Sequence, residues 1–349
     1  MPSAQFKKLL ADVSKFVEEE AIPAEKVFET QVEDAARRHS SRFAEYAPVM
    51  EELKKKARTR GLWNLFFPGS GLSIEQYAAV SEILGRSFLA PEACNCNAPD
   101  TGNMEVLEKY GTPAQKKQWL EPLLEGTIRS AFLMTEPEVA SSDATNIACS
   151  AELDNDSYVV TGRKWWATGA QDPRCRLAVV LVRMRGREAS GADWDGRPVH
   201  GRHSVLLVPT DSPGFEVLRP LSVFGYDDAP HGHAEVVLRG VRVPAASAVV
   251  LGEGRGFEVA QSRLGPGRVH HCMRAIGMAE RALEAAVRRS FARTAFGRPL
   301  AEHDGVRSAV AHSRMEIDQA RLLVLRCARR LGEPAGLKGA IQEVSMIKV

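Results

Sequence analysis

Three short runs in this sequence bring chemically capable side chains close together. Cys94-Asn95-Cys96 is a C-x-C pair, His231-Gly232-His233 is an H-x-H pair, and His270-His271-Cys272 sets two imidazoles beside a thiol. Thiolates and imidazoles are the ligands zinc prefers, but a site needs three or four of them converging. No second His/Cys pair stands near Cys94 and Cys96, and the H-x-H has no carboxylate partner, so both read as structural. His270 and His271 are helix neighbours, whose side chains point about 100° apart. They read as packing or entrance residues. Gly252-Glu253-Gly254-Arg255-Gly256 has the glycines of a phosphate cradle, but it lacks the Lys-Ser/Thr of a P-loop and the G-x-G-x-x-G spacing. It reads as a turn.

The elements that must position any site follow from composition and pattern. The chain has 349 residues, a formal net charge of +2, 44% hydrophobic and 26% charged residues. That is ordinary globular composition and excludes whole-chain disorder. Near-neutral charge argues against a nucleic-acid binder living on phosphate contacts. A membrane helix needs roughly 20 apolar residues, and the best runs, such as Leu177 to Val182, are strand-sized. The six scattered cysteines form no disulfide framework and fit reduced thiols in an intracellular protein. The N-terminus, with Glu18, Glu19 and Glu20, is not a secretory signal. The stretch from Gly252 onward is basic. A basic helical end can meet phosphates, or equally the acidic part of its own fold.

The pattern predicts three zones, and with them an α+β fold. Residues 1–127 read as an N-terminal helical domain. Phe6, Leu9, Leu10, Val13 and Phe16 share one helix face, Ser73 is an N-cap, and Thr112-Pro113 opens a short helix. Residues 128–251 read as a β domain, a small barrel or sandwich. Its strands are Tyr158 to Thr161 ending at Gly162, Leu177 to Val182, and Val205 to Val208; Gly186 to His203 is a loop rather than core. Residues 252–349 read as a helical bundle. Val310, Ser313, Ile317, Ala320, Val324, Cys327 and Leu331 form a long buried seam at alternating steps of four and three. The helix-like end at Val349 carries no cap or stop, so the bundle is expected to be incomplete here.

Three motifs remain. Phe132-Leu133-Met134-Thr135-Glu136-Pro137 leads into Ser141-Ser142-Asp143-Ala144-Thr145-Asn146. Gly162-Arg163-Lys164-Trp165-Trp166-Ala167-Thr168-Gly169 follows, and later Arg293-Thr294-Ala295-Phe296-Gly297-Arg298-Pro299-Leu300. Joined in this order, with the His270-His271-Cys272-Met273-Arg274 helix, they make the chain resemble the acyl-CoA dehydrogenase family over essentially its whole length. The likeness is greatest to the branch of family members ten and eleven.

The resemblance implies FAD held between a middle β domain and a four-helix bundle, in a homodimer or homotetramer. Phe132, Met134 and Thr135 would lie along the isoalloxazine, with Thr135 donating hydrogen bonds. Ser141 and Ser142 would stand near the cofactor, Ser142 also near the thioester. Trp166 would cover one flavin face, since a Trp has the area to shield the ring from water. Ala167 would adjoin the ring, and Thr168 would approach its N5. Arg293 would pair with the pyrophosphate across the dimer, as Arg suits bidentate phosphate contact. Ala295 and Phe296 would flank the adenosine, while Asp304 departs from the family pattern. Arg268 would lie beside the substrate thioester. Glu136 reads as a structural hydrogen-bonding member.

The implied reaction is α,β-dehydrogenation of a fatty acyl-CoA, with electrons leaving to an electron-transfer flavoprotein. The α-proton needs a base and a polarised carbonyl. The branch's base lies in a stretch beyond Val349, and Gly267 stands where some relatives carry theirs, so no base is found in this chain. An acyl-CoA oxidase, a flavin monooxygenase of the same fold, or an inactive fragment or partner are the alternatives.

Overall fold

The computed structural model describes residues 3–186 and 193–349. The expected loop over 186–203 therefore lies partly outside the described residues, as do the surroundings of Gly265. In chain order, α1 (Ala4–Phe16) continues through one wide turn, Val17–Ala21, into α2 (Ile22–His39). Next come α3 (Pro48–Thr59), α4 (Ile74–Leu84), the single turn α5 (Ala90–Ala93), α6 (Asp100–Tyr110), and the short α7 (Pro113–Gln115) and α8 (Glu121–Glu125). The strands are β1 (Arg129–Leu133), β2 (Ser150–Asp154), β3 (Ser157–Thr168), β4 (Cys175–Arg185), β5 (His203–Pro209), β6 (Phe215–Leu221) and β7 (His233–Pro244). After the turn α9 (Ala245–Ala248) come α10 (Gly256–Ala292), a hairpin of β8 (Thr294–Ala295) and β9 (Arg298–Pro299), α11 (Asp304–Leu331) and α12 (Gly336–Met346). Helices, strands and helices follow one another as the α+β reading requires. Among the described residues no helix is long and apolar enough to cross a membrane.

Local chemistry explains the helix starts. Ser73 and Gln76 form a reciprocal capping box at 3.1 and 2.9 Å, and Thr112 and Gln115 repeat it ahead of Pro113. Each box satisfies two amides that a helix start otherwise leaves unpaired. The chain forms two compact units. One joins Met1–Val27, Val49–Cys96 and Gly265–Val349; the other joins Phe28–Pro48 and Asn97–Leu264.

The first unit packs Ala78 of α4 with Val269, Met273 and Ile276 of α10, Ile317, Val324, Cys327 and Leu331 of α11, and Ala340 and Val344 of α12. The expected α11 seam is buried only from Ile317 onward. Val310 and Ser313 are half-buried and Ala320 is exposed. A Cβ added at Gly277 would sit 1.9 Å from the Glu82 carbonyl oxygen, so glycine permits α4 and α10 to touch backbone to backbone. Much of the basic charge is spent inside this unit. Arg281 grips Glu25 with two bonds of 2.7 Å, Arg86 grips Glu284 at 2.9 and 2.8 Å, and Arg314 and Arg321 share Glu280.

The second unit is built on one open sheet of order β1-β4-β2-β3-β7-β6, with β5 on β4. The barrel-like β module is thus a single curved layer with β5 and β6 as edges. Leu177 through Val182 are all fully buried, as are Val205, Leu206 and Val208, which marks strands covered on both faces. Two expectations are corrected. β3 does not end at Gly162 but runs on to Thr168. The register slips between Val160 and Gly162, and a Cβ there would lie 2.6 Å from Cys149, so the glycine marks a bulge and a close approach. Trp194, expected in a loop outside the core, is buried to 1% exposure, with Arg197 stacked on its ring at 4.6 Å.

Candidate functional site

The site begins at a gap in the sheet. β1 pairs with β4 as far as Leu133↔Val180, and β2 takes up β4 only from Ser150↔Arg183. Between them the chain leaves the sheet as the 134–149 loop, which carries the Met134-Thr135-Glu136 and Ser141-Ser142 motifs. The Leu181 carbonyl falls in the gap. A fully buried Lys164 fills it: its ammonium donates to Leu181 O at 2.8 Å, Met134 O at 2.9 Å and Glu136 Oε1 at 2.8 Å. Glu136 in turn accepts the Ala148 and Cys149 amides at 2.8 and 2.9 Å. Its carboxylate is fully engaged, which supports its structural reading. Ser141 is buried and locked, its Oγ accepting the Glu136 amide at 2.9 Å. Ser142 is exposed on the same loop.

This bracket pins the wall residues. Thr135 Oγ1 donates to the Trp165 carbonyl at 2.7 Å, and the Trp165 amide donates back to Thr135 O at 3.0 Å. The Thr135 hydroxyl is therefore spent inside the protein, whereas its amide N–H, like that of Ser142, meets no acceptor among the described residues. A second register slip, between Lys164 and Ala167, puts Trp166 at φ +50°. A bulky residue rarely takes that conformation, which is a known mark of functional segments. Trp166 is 40% exposed, Trp165 is half-buried, and Ala167 is buried beneath. Thr168 Oγ1 meets His233 Nδ1 at 2.9 Å across the β3–β7 ladder. The H-x-H reading needs a correction here. His233 does have a carboxylate partner, Asp228, whose Oδ2 is 3.5 Å from Nε2. Sequence did not show it because a turn, not a regular spacing, brings Asp228 back.

Phe132 is half-buried, and the Arg263 guanidinium lies over its ring at 4.1 Å. Arg263 also donates to Asn103 Oδ1 at 3.0 Å, and Asn103 donates to Ser130 Oγ at 2.9 Å. Burial pushes Arg263 down to about 10 and Glu105 up to about 7, with each holding the other's charge. Sequence reading gave no role to Arg263, Glu105 or Lys164. The available signal was a charged residue on an apolar face or inside a strand, but that signal is equally common on solvated faces.

The remaining sequence-derived residues belong to the first unit. Arg293 stands exposed just after α10, and Ala295 and Phe296 sit in the β8–β9 hairpin, Phe296 at φ +52° and 96% exposed. His303 Nε2 lies 3.2 Å from Ala295 O and braces the hairpin. Arg268 is half-buried on α10 with no ion pair among the described residues, and a Cβ at Gly267 would meet open space. His270 is buried edge-on against Tyr77 at 4.6 Å, and burial pushes it down to about 3, so it is a neutral packing residue. Cys94 and Cys96 are buried thiols, raised by burial. Among the described residues no group of three His, Cys, Asp or Glu could hold a metal ion.

The donor set of the second unit suits the ring end of a flavin. Amides without an acceptor among the described residues, at Thr135 and Ser142, can serve ring carbonyls and nitrogens, and the half-exposed Trp166 indole offers a broad apolar face. The N-terminal, middle and C-terminal domain profiles of the acyl-CoA dehydrogenases match residues 3–127, 131–241 and 254–349. The human acyl-CoA dehydrogenase family member 11 is 49% identical over 347 residues, 98% of this chain and 43% of that protein. Mouse family member 10 is 48% identical over 356 residues, 99% of this chain and 32% of that protein. The chain thus spans under half the length of these curated relatives. A provisionally assigned acyl-CoA dehydrogenase structure from Mycobacterium abscessus is 47% identical, with a TM-score of 0.91 over 100% of this chain and 84% of that one. With all three domain profiles matched, the chain belongs to the acyl-CoA dehydrogenase family, a family of FAD flavoprotein oxidoreductases.

Proposed function

We propose that this chain is an FAD-dependent module for α,β-dehydrogenation of fatty acyl-CoA thioesters, serving an electron-transfer flavoprotein. One observation carries the reading: the Thr135–Trp165 clasp leaves the Thr135 amide N–H without an acceptor among the described residues, next to Trp166, which is 40% exposed at positive φ. Bound there, a flavin would accept the hydride lost from Cβ as the α-proton leaves Cα, whose electrons form the new double bond. The chain's residues would do the rest. The Thr135 and Ser142 amides would hold the ring edge, Phe132 and Met134 would line it, and Trp166 would keep water from one face. Arg268, a cation without an ion pair on α10, would stand beside the thioester. No carboxylate is assigned as the base. Arg293, exposed just before the hairpin, with the half-buried Ala295 and the exposed Phe296 on it, would serve the adenosine and pyrophosphate of a second copy, which makes the working form a homodimer or larger. The division at 127/128 and 251/252 is our proposal for the domains.

The test is the visible spectrum of the purified chain, followed by anaerobic addition of a long-chain acyl-CoA. A flavin spectrum that bleaches supports the whole reading. Flavin that binds without bleaching leaves the cofactor pocket and removes the dehydrogenation by this chain. A colourless protein that refuses added FAD overturns it.

A further inference from the structure

We infer that His233, held by Asp228, is a positioning residue that sets the direction of the Thr168 hydroxyl, and thereby the balance between oxidised and reduced forms of the bound cofactor. This rests on the flavin reading above, in which Thr168 faces the ring's N5. The three groups stand in series: Asp228 Oδ2 to His233 Nε2 at 3.5 Å, and His233 Nδ1 to Thr168 Oγ1 at 2.9 Å.

Donor counting fixes the direction along that series. A carboxylate only accepts, so the imidazole nitrogen facing it gains by carrying the proton. In a neutral imidazole the other nitrogen is then bare and accepts. Thr168 must donate to it. A hydroxyl has one proton, so on its remaining side Thr168 can only accept. An oxidised flavin presents a bare nitrogen at N5, whereas the reduced form carries an N–H there. A hydroxyl turned acceptor favours the second, and so raises the tendency of the cofactor to take up electrons.

The backbone holds this arrangement. Thr168 and His233 are register partners, Gln171 Nε2 donates to His233 O at 3.2 Å, and the Gly232 amide donates to Asp228 O at 2.8 Å to close the turn. Asp228 sits at φ +52°, a conformation that Asp tolerates better than most residues. The Trp166 ring stands 5.8 Å from the imidazole, so the wall and the series are one cluster.

Asp228→Gly suits the positive φ and removes the carboxylate; His233→Phe removes the acceptor. Two measurements test the inference. Imidazole nitrogen NMR of the chain without flavin should show His233 protonated at Nε2 and bare at Nδ1, and that preference should vanish in Asp228→Gly. Spectroelectrochemistry of the FAD-loaded chain should show about a tenfold lower reduced-to-oxidised ratio at fixed poise in either variant, roughly 30 mV for a two-electron couple. The sign is diagnostic, because removing an anion by itself favours reduction. In a Thr168→Val background the effect of Asp228→Gly on the ratio should disappear, which a merely structural role would not produce. A protonated Nδ1, or an unchanged or raised ratio in loaded variants, overturns the inference and leaves the flavin reading standing. A wild-type chain that retains no FAD overturns both.

Discussion

The end of the sheet and the β8–β9 hairpin carry the same cofactor by our reading, yet they are built in opposite ways. At the sheet end nearly every polar atom is already committed. Lys164 has three partners, Glu136 three, Ser141 two, and Thr135 and Trp165 bond each other in both directions. At the hairpin, Arg293 has no ion pair among the described residues and Phe296 is almost fully exposed at positive φ. A ring whose edge must be met atom by atom needs donors fixed beforehand, because each loose donor would cost entropy on binding. A phosphate and an adenine can be met by a long cation and a flat side chain that wait in solvent. On that reading, the contrast teaches that the specific part of the site is internal to one unit of one chain, while the other part acts outward.

The largest expected effect would break the internal half. Lys164→Met leaves Glu136 as a buried carboxylate with no cation, and breaking such a pair costs about 3–5 kcal/mol. Urea unfolding should show this loss, and FAD retention should fall with it. If Lys164→Met unfolds at the wild-type midpoint, the bracket is not what holds the loop.

Next comes pH. Glu105 is raised to about 7 by burial, so the folded chain holds its proton where the unfolded chain has lost it. That proton uptake lowers stability as pH climbs from about 4.5 to about 7, by about 3 kcal/mol. Glu105→Gln should flatten that slope in denaturant titrations at several pH values.

The helices that carry the hairpin should show the reverse. Glu280 is lowered to about 2, chiefly by its bonds to Arg314, with Arg321 adding to it. Its contribution is present above pH 4.5 and is lost as pH falls toward 2. For a pair partly in solvent we expect about 1 kcal/mol, removed by Glu280→Gln. A steeper acid loss in the variant than in the wild type would contradict this.

The smallest effect on stability sharpens the comparison most. Arg293→Ala should stay within about 0.5 kcal/mol of wild type, as surface substitutions do, yet reduce FAD retention on a desalting column about tenfold. Equal retention would mean that the hairpin does not serve the cofactor.

Much of the fold was legible beforehand because its signals are local. Ser73 and Thr112 announced helix starts, and the unbroken apolar run Leu177 to Val182 announced a strand, which the structure buries on both faces. The wall residues were legible as candidates through motif and order. What escaped were pairings between distant segments. Nothing near Arg263 marks it as the cation over Phe132, and nothing near Gly162 distinguishes a bulge from a strand end. Trp194 looked like part of a polar loop because its burial depends on how that loop folds back.

By itself the sequence determined the helix–strand–helix order, the family, and the candidate residues for the cofactor, because period, caps and motif spacing are properties of neighbouring positions. Only the tertiary structure decided which of those groups are free to act. It placed Lys164 in the gap between β1 and β2, spent the Thr135 hydroxyl on Trp165, and gave His233 the Asp228 partner that sequence spacing denied it. Whether a donor is satisfied depends on which strand ends beside which, and register between segments far apart in the chain is written in no short stretch of residues.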